Sequence, residues 1–485
     1  MCLLPFSAIS QIQQASAVHY NNGILNGTNQ AVKMALDSAG NIYILGFSQN
    51  ANSNLGYVTI KYAPNGSQLW STRYDSTNYP SAAPTSFALD LSNNVILTGS
   101  ALTIKYDSNG NQLWTAPYSG AGLTVDTNGN VGITGFGTSF DTVKLSPSGS
   151  NLWLRSSPAS CGAAVGQAII ADLNGDFYVA GSYPFTCEPE VVDYELLIIK
   201  YDLDGNQAWT SSYQAAGVPV EVEGVAVDNS NNLYVATSFY GMADSPLTFN
   251  YASGGSLVCT ANSPDEYFGP DSARGLVLDS NRNLLLTGQF AYLGPNNAYG
   301  TFAYGAYKAD ANGSWLWTNL FPIVPFPPSS ALAIALDTAN NSYITGYSPG
   351  TNSGNDIVTI KYDQNGNQVW LQRYTNPGNG NAAGNAIAVD NNGNVYVTGY
   401  DTTAAGGTEI VTIKYSPVTV KRRSDGTVIL QAQGSPGESF DIEASSDLLN
   451  WLDLGSVLAD TNGLMQFDDT NAPAYPARFY YTTPR

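Results

Sequence analysis

The sequence predicts an all-β protein, an eight-bladed β-propeller of four-stranded blades closed by an N-terminal strand and followed by a small C-terminal β-sandwich. Three observations predict it. A phrase of the form ALDxxGNxYxTG recurs eight times, and a second phrase, IKYDxNGNxxW, follows most of its copies. Val, Ile, Thr, Tyr and Trp fill the runs between turn residues, and helical spacing with caps is nowhere sustained.

The first phrase runs from ALDSAGNIYILG (35–46) to AVDNNGNVYVTG (388–399) and is marked by Asp37, Asp90, Asp126, Asp172, Asp228, Asp279, Asp337 and Asp390. The markers stand 36 to 58 residues apart. Internal similarity at that period means a solenoid, an array or a propeller. Each unit carries four short strands: the apolar run before the Asp, the NxYVTG run, the VTIKY run and the QLWxxRY run. Four-stranded units of ~40–50 residues are propeller blades.

The second phrase appears as YVTIKYAPNGSQLW (57–70), ALTIKYDSNGNQLW (101–114), LLIIKYDLDGNQAW (196–209) and IVTIKYDQNGNQVW (357–370). Its DQNGN segment is a hairpin turn, in which Gly and Asn tolerate positive φ and Asp caps with its side chain. The Trp beyond it recurs as Trp70, Trp114, Trp153, Trp209, Trp317 and Trp370, six of the chain's eight. Rings at one repeated position are expected to pack between successive blades. The lysine before the turn recurs as Lys61, Lys105, Lys144, Lys200, Lys308, Lys361 and Lys414. Its stem is expected to cover apolar neighbours with the ammonium in solvent, and a basic binding stripe is the rival reading.

Closure is also written in the sequence. The eighth unit ends at EIVTIKYSP (409–417) without a fourth strand, while ASAVHYNNG (15–23) precedes the first unit and echoes Arg73-Tyr74 and Arg373-Tyr374. The N-terminal strand is expected to complete the last blade and leave no open edge, which makes His19 a structural residue.

Through these two phrases the units resemble the bacterial SBBP class of β-propeller repeats. More distantly they resemble NHL repeats, whose AVDxxGNVYV phrase appears at 388–397. The resemblance spans residues 18–417 and implies a propeller, with little about activity. From Val418 the pattern stops. VTVKRRSDGTVILQAQ, ESFDIEASSDLLNWLDLG and ARFYYTTPR alternate like strands of a sandwich and resemble the fibronectin-III-like modules of secreted bacterial repeat proteins. The expected organisation is a truncated signal peptide at 1–17, the propeller at 18–417 and the sandwich at 418–485.

Composition narrows the function classes. Charged residues are 12% of the chain and net charge is −20, which argues against a nucleic-acid partner, because phosphate binding needs excess Lys and Arg. No apolar run reaches the ~18 residues of a transmembrane segment. A single histidine, His19, leaves little room for His-based metal or triad chemistry. At the start, a short apolar stretch precedes Ala15-Ser16-Ala17, which fits a small-x-small cleavage site without its basic n-region. Export to the cell surface or beyond is expected, and a disordered N-terminus is the rival.

Catalytic signatures are weak. The DLDGN turn (Asp202, Asp204, Asn206) invites a calcium reading but lacks the longer oxygen-donor series and terminal acid of a dedicated loop. No GxSxG, HExxH or Walker motif occurs. The ring with outer-strand Trp is similar to quinoprotein dehydrogenases, yet there is no adjacent cysteine pair and no cofactor motif matches position by position. Neither a metal nor a cofactor is expected. Cys259 replaces the repeat Trp and is expected to be a buried, inert thiol.

Function is expected on the face whose connections vary. Segments 182–195, 238–246 and 289–300, with inter-blade loops 217–224, 263–271 and 320–329, are rich in aromatic and acidic residues. The candidates are Tyr183, Phe185, Glu190, Asp193, Glu221, Glu223, Phe239, Tyr240, Tyr267, Phe268, Tyr292 and Tyr299. Aromatic faces stack on sugars or peptides, and carboxylates accept hydroxyl protons; the rival is that these rings pack the loops onto the ring. A non-enzymatic binding module for a glycan or protein leads. An enzyme on the same ring, oxidoreductase or hydrolase/lyase, and a purely structural surface protein are the alternatives.

Cys161 and Cys187 fall in loops on one rim around the fourth unit. In an oxidising compartment they are expected to bridge, contributing on the order of 3 kcal/mol, against the alternative of two free thiols. Mass mapping of the oxidised protein decides between these; two unmodified thiols remove the bridge.

Overall fold

The structure is a computed structural model. It describes residues 11–135, 139–157, 164–188, 191–215, 220–239, 246–262, 272–292, 301–321, 329–351, 353–434, 436–447, 449–461, 463–475 and 478–484. Strand β1 (Gln11–Tyr20) comes first in the chain. Unit one is the meander β2 (Asn29–Leu36), β3 (Ile42–Gln49), β4 (Leu55–Tyr62), β5 (Gln68–Tyr74). Unit two is β6 (Pro84–Leu89), β7 (Val95–Gly99), β8 (Thr103–Tyr106), β9 (Gln112–Ala116). Unit three is β10 (Gly122–Val125), β11 (Val131–Thr134), β12 (Phe140–Leu145), β13 (Asn151–Ser157). Unit four is β14 (Val165–Ala171), β15 (Phe177–Glu188), β16 (Val191–Tyr201), β17 (Gln207–Ala215).

Unit five is β18 (Val220–Val227), β19 (Leu233–Phe239), β20 (Pro246–Tyr251), β21 (Leu257–Asn262). Unit six is β22 (Ser272–Leu278), β23 (Leu284–Tyr292), β24 (Thr301–Ala309), β25 (Trp315–Leu320), joined to unit five by the single pairing Ser238↔Ser272. Unit seven is β26 (Ser330–Leu336), β27 (Ser342–Pro349), β28 (Asn355–Tyr362), β29 (Gln368–Tyr374). The last unit is β30 (Ala382–Val389), β31 (Val395–Thr402) and β32 (Thr408–Arg422), and its fourth strand is β1. Tyr20 pairs with Ile410 and His19 with Val411.

The C-terminal residues add β33 (Val428–Gln433), β34 (Ser439–Ser445), β35 (Leu452–Leu458), β36 (Leu464–Asp469) and β37 (Phe479–Pro484). β33 and β36 extend the sheet of β32, while β35, β34 and β37 form a three-stranded sheet around a shared core of Val418, Leu430, Phe440, Ile442 and Met465. The expected boundary at 417/418 falls inside β32, which runs unbroken from the last unit into this region. Among the described residues there is no α-helix.

Each unit's first strand touches the next: β2 meets β6, the contacts continue through β10, β14, β18, β22 and β26 to β30, and β30 meets β2. The apolar cores lie between successive sheets. Tyr43 and Leu45 of unit one pack on Val95 and Leu97 of unit two, and Ile44 and Val58 pack on Tyr396 and Ile410 of the last unit.

The repeated Asp builds the turn between first and second strands. At Asp390 one carboxylate oxygen accepts the N–H groups of Asn392 and Asn394, both at 2.9 Å. The other accepts the Asn394 side-chain amide at 2.7 Å and the Tyr396 hydroxyl at 3.3 Å. Gly393 turns the chain with φ 78°. The DQNGN turn has the same geometry: Gly366 has φ 85°, and Asp363 accepts from the N–H groups of Asn365 and Asn367. Asp202, raised above as a calcium ligand, likewise has both oxygens engaged, by the N–H groups of Asp204 and Asn206 and the Asn206 side chain. It is a turn cap.

The repeated lysines correct the sequence expectation, because their ammonium groups turn inward. Lys105 lies 2.8 Å from Asp90, Lys308 2.9 Å from Asp279 and Lys144 3.2 Å from Asp126. The third strand delivers lysine to the end of the sheet where the Asp turn sits, so Lys105, Lys144, Lys200, Lys308 and Lys361 each meet the carboxylate of their own sheet's turn. Carbonyls of the next unit's turns add acceptors: Lys61 donates to Ser108 at 3.1 Å, and Lys414 of the last unit donates to Pro64 of the first at 3.0 Å. Aromatic faces complete several sites, with Lys61 4.7 Å from the Tyr43 ring centre. Burial alone would raise the Asp90 carboxyl; Lys105 and the Asn94 donors outweigh it and hold it below its ordinary range.

The repeat indoles donate to the same turns. Trp70 reaches the Ser108 carbonyl at 3.0 Å, Trp114 that of Pro147 at 3.0 Å, Trp209 that of Ser253 at 2.9 Å and Trp317 that of Gln364 at 3.2 Å. Each ring lies against the turn glycine of the next unit; a Cβ on Gly110 would sit 2.9 Å from Trp70. Trp153 donates to Leu203 at 3.1 Å, and Trp370 packs beside Tyr343 and Tyr415. In unit five Asn250 and Cys259 stand at the Lys and Trp register, and both face the Ala311 carbonyl, at 2.6 and 3.6 Å. Burial raises the Cys259 thiol above its ordinary value.

The Lys144–Asp126 pair has side-chain exposures of 2% and 0%, so removing one partner strands a buried charge. Lys144→Ala is expected to lower unfolding free energy by ~3–5 kcal/mol in a urea titration, with part recovered by adding Asp126→Asn. A loss below about 1 kcal/mol would show that water reaches the carboxylate.

Candidate functional site

Segments read as loops from the sequence are partly strand. β15 runs 12 residues against 5 for β7, and its ladder with β16 continues to Glu188↔Val191. At about 3.4 Å per residue this hairpin projects ~20 Å further than its counterpart in unit two. The β23–β24 ladder reaches Tyr292↔Thr301, and β18–β19 begins at Val220↔Phe239. Units four and six thus present extended hairpins on the face away from the Asp turns.

Tyr183 packs on the cluster holding Trp153 and Phe177, and Asp193 pairs with Thr186 in the β15–β16 ladder. Glu221 and Glu223 lie on β18 rather than in an inter-blade loop. Phe185, Phe239, Tyr292 and Cys187 occupy strand positions with side chains outside the described set; Glu190, Tyr240, Tyr267, Phe268, Tyr299 and Cys161 lie outside the described residues altogether.

Glu223 shows a feature the sequence reading missed. In seven units the first strand carries a one-residue bulge, which leaves Val32, Thr85, Gln167, Glu223, Arg274, Leu332 and Asn385 unpaired in the ladder. A bulge re-aims its side chain, and here several turn toward the next unit. Thr85 donates to the Gly120 carbonyl at 2.5 Å, Gln167 accepts from Val222 N–H at 2.9 Å, and Asn385 of the last unit donates to Ala31 of the first at 2.8 Å. Between units five and six the contact is ionic, with Arg274 3.6 Å from Glu223. The Ser238 hydroxyl donates to the same carboxylate at 3.1 Å.

Lys33 joins this group from unit one. Water reaches its side chain, yet protein surrounds it, so the loss of bulk solvent pulls its pKa down while Glu223 pulls it up. A charge surrounded by protein is poorly solvated even where a water molecule can touch it. A lysine of unit one in the field of a glutamate of unit five places both where the first strands converge. Burial raises the Glu223 carboxyl above its ordinary value; Arg274, Ser238 and Lys33 oppose the rise and Glu221 adds to it.

A cavity of about 730 Å³ opens elsewhere, between the Asp37 and Asp390 turns and the C-terminal strands, with Lys414 and Gln431 in its wall. Its carboxylates are committed to their turns and its lysine to the Pro64 carbonyl. It is a polar shelf. The Glu223 group is instead an ion pair between inner strands with a raised carboxyl.

With the geometry in place, the SBBP β-propeller repeat pattern matches residues 369–400, from β29 to β31. The fold is a β-propeller. No curated protein matches the chain. Solved structures similar to it include the polysaccharide lyase Uly1, at 11% identity over 82% of this chain and 91% of that one, TM-score 0.41. A gluconolactonase from Xanthomonas campestris gives 11%, 83% and 98%, TM-score 0.33. A PQQ-bound aldose sugar dehydrogenase from Streptomyces coelicolor gives 12%, 61% and 93%, TM-score 0.34.

Within the propeller the raised carboxyl has a consequence for stability. Folded Glu223 keeps its proton at pH values where the unfolded chain, with its ordinary value of 4.5, has released it. Its contribution to stability is therefore largest below 4.5 and is lost as pH rises through the folded value. Glu223→Gln is expected to be relatively more stable than wild type toward neutral pH, in denaturant titrations from pH 4 to 8. A pH-independent difference between the two proteins would place Glu223 in open solvent.

Proposed function

We propose that this chain is an exported, non-enzymatic binding module: an eight-bladed propeller with a C-terminal β-sandwich that takes a glycan over units four to six. The observation that carries the reading is the Glu223–Arg274–Lys33 group where the first strands converge, beside the projecting hairpins of units four and six. Carboxylate, guanidinium and hydroxyl groups together donate to and accept from sugar hydroxyls, and the aromatic residues of the hairpins offer stacking faces. The cycle of first-strand contacts from β2 to β30 and back supports the eight-bladed count. The low charge content supports export. Cleavage after Ala17 would take Gln11–Ala17 out of β1, including the buried Ala15, so a processing site before Gln11 suits the fold better.

An enzyme is the second reading, favoured by the raised Glu223 carboxyl as a proton donor. A glycan array and a protein array, read with the purified full chain, separate ligand classes, and cofactor absorbance or turnover of the retained ligand separates binding from catalysis. Tyr292→Ala and Glu223→Gln are each expected to weaken binding five- to thirtyfold, about 1–2 kcal/mol. Asn365→Ala in the opposite turn is expected to alter folding alone. Binding lost only at the Asn365 face would sink the reading, and so would a chain that retains no glycan.

A further inference from the structure

Away from the Glu223 group, the chain's single histidine meets two carboxylates at the opposite end of the sequence. His19 lies on β1, Asp401 near the end of β31 and Glu409 near the start of β32, so three strands of the last unit each bring one group. His19 Nδ1 is 3.0 Å from Glu409 Oε1 and 3.7 Å from Asp401 Oδ2, and one ligand atom from each residue lies within 4.8 Å of the others. Among the described residues neither carboxylate pairs with a lysine or arginine.

Two further observations separate this group from a surface acidic cluster. The Asp401 side chain is 3% exposed, and its Oδ1 is buried with no hydrogen-bond partner. A buried carboxylate oxygen left without a donor is costly, and nearly all such atoms are satisfied by something. The other oxygens are already oriented from behind: the Tyr374 hydroxyl donates to Asp401 Oδ2 at 2.8 Å, and the Asn21 amide donates to Glu409 Oε2 at 3.1 Å. Outer hydrogen bonds of this kind hold the ligands of metal centres in place.

We propose that His19, Asp401 and Glu409 bind a divalent transition-metal ion, with Zn²⁺ as the best fit, as a clasp that fastens β1 to β31 and β32. One imidazole nitrogen and two carboxylate oxygens suit zinc and its neighbours rather than calcium or magnesium, which take oxygen alone. Tetrahedral zinc at ~2.0–2.2 Å from each ligand sets the donors about 3.3 Å apart, within the spread seen here. A water fills the fourth position, because His19 is one-third exposed at the surface. The ion neutralises two carboxylates that otherwise face each other with only an imidazole between them. It also ties the last residues of β1, where the chain leaves the ladder, to strands some 380 to 390 positions away.

The test uses the full chain without a histidine tag, stripped with EDTA and titrated with ZnCl₂, and separately with CaCl₂. Calorimetry is expected to show one site per chain for zinc and none for calcium, with a melting temperature raised by a few degrees at saturation. Co²⁺ is expected to give visible ligand-field absorption that zinc displaces. Glu409→Gln, which keeps shape and solubility, is expected to weaken zinc at least tenfold, and His19→Ala to abolish the cobalt bands. Zinc binding unchanged in both variants would overturn the proposal. So would a wild-type chain that takes up no zinc.

Discussion

Three of the seams share one arrangement: a lysine and a tryptophan side by side, both donating into the hairpin turn of the following sheet. Lys61 and Trp70 share the Ser108 carbonyl, Lys105 and Trp114 share Pro147, and Lys308 and Trp317 share Gln364. The turn must therefore hold its shape to within a few tenths of an ångström. That is the work of its capping Asp and of a glycine with no Cβ to strike the indole. Turn, indole and ammonium specify one another, which is why the phrase repeats as a block.

The pairing also explains how so few charged residues build a stable scaffold. A buried ammonium is expensive unless carboxylate and carbonyl partners are ready for it. Here the partner comes from the same sheet, Asp90 for Lys105 and Asp279 for Lys308, so neither charge waits on a distant segment. Where the pattern lapses, the substitute keeps the same target. Asn250 and Cys259 address the Ala311 carbonyl, and at the chain's closure Ser16 of β1 sits opposite Lys414, while Lys414 still reaches Pro64. The closing strand thus forgoes the indole, and β1 is held by its ladder and by the Gln13–Thr482 hydrogen bond to β37.

Much of this was legible in the sequence. The eight phrases, the short capped turns, the strand count per unit and the return of the N-terminal strand all rest on local chemistry that a turn or a period-two run displays. The burial of the lysines was not legible, because their stems and partners look the same whether the ammonium points in or out; only the sheet's end-to-end register brings Asp90 to Lys105. Glu223 was misplaced in a loop because a bulge leaves no composition signal: VEVEG reads equally as an acidic connection. His19, Asp401 and Glu409 were invisible as a group, since nothing local marks residues that meet only when the last unit closes. The hairpins of units four and six were read as loops because Pro184 and Gly288 look like strand ends, yet their ladders run on beyond both.

The seam between units five and six draws these threads together. It is where Asn250 and Cys259 replace lysine and tryptophan, leaving Asp228 with Tyr234 and the more distant Arg282 instead of an ammonium in its own sheet. It is also where the two sheets touch directly through Ser238 and Ser272, and where the bulge residues form an ion pair instead of a neutral hydrogen bond. At this seam an ionic contact on the inner strands is added to the outer-strand contacts of Asn250 and Cys259. Where other seams have neutral bulge hydrogen bonds on the inner strands, this one has a charged pair, with the extended ladder of unit six alongside. That charge on the inner strands, more than any loop composition, sets this part of the ring apart from the rest.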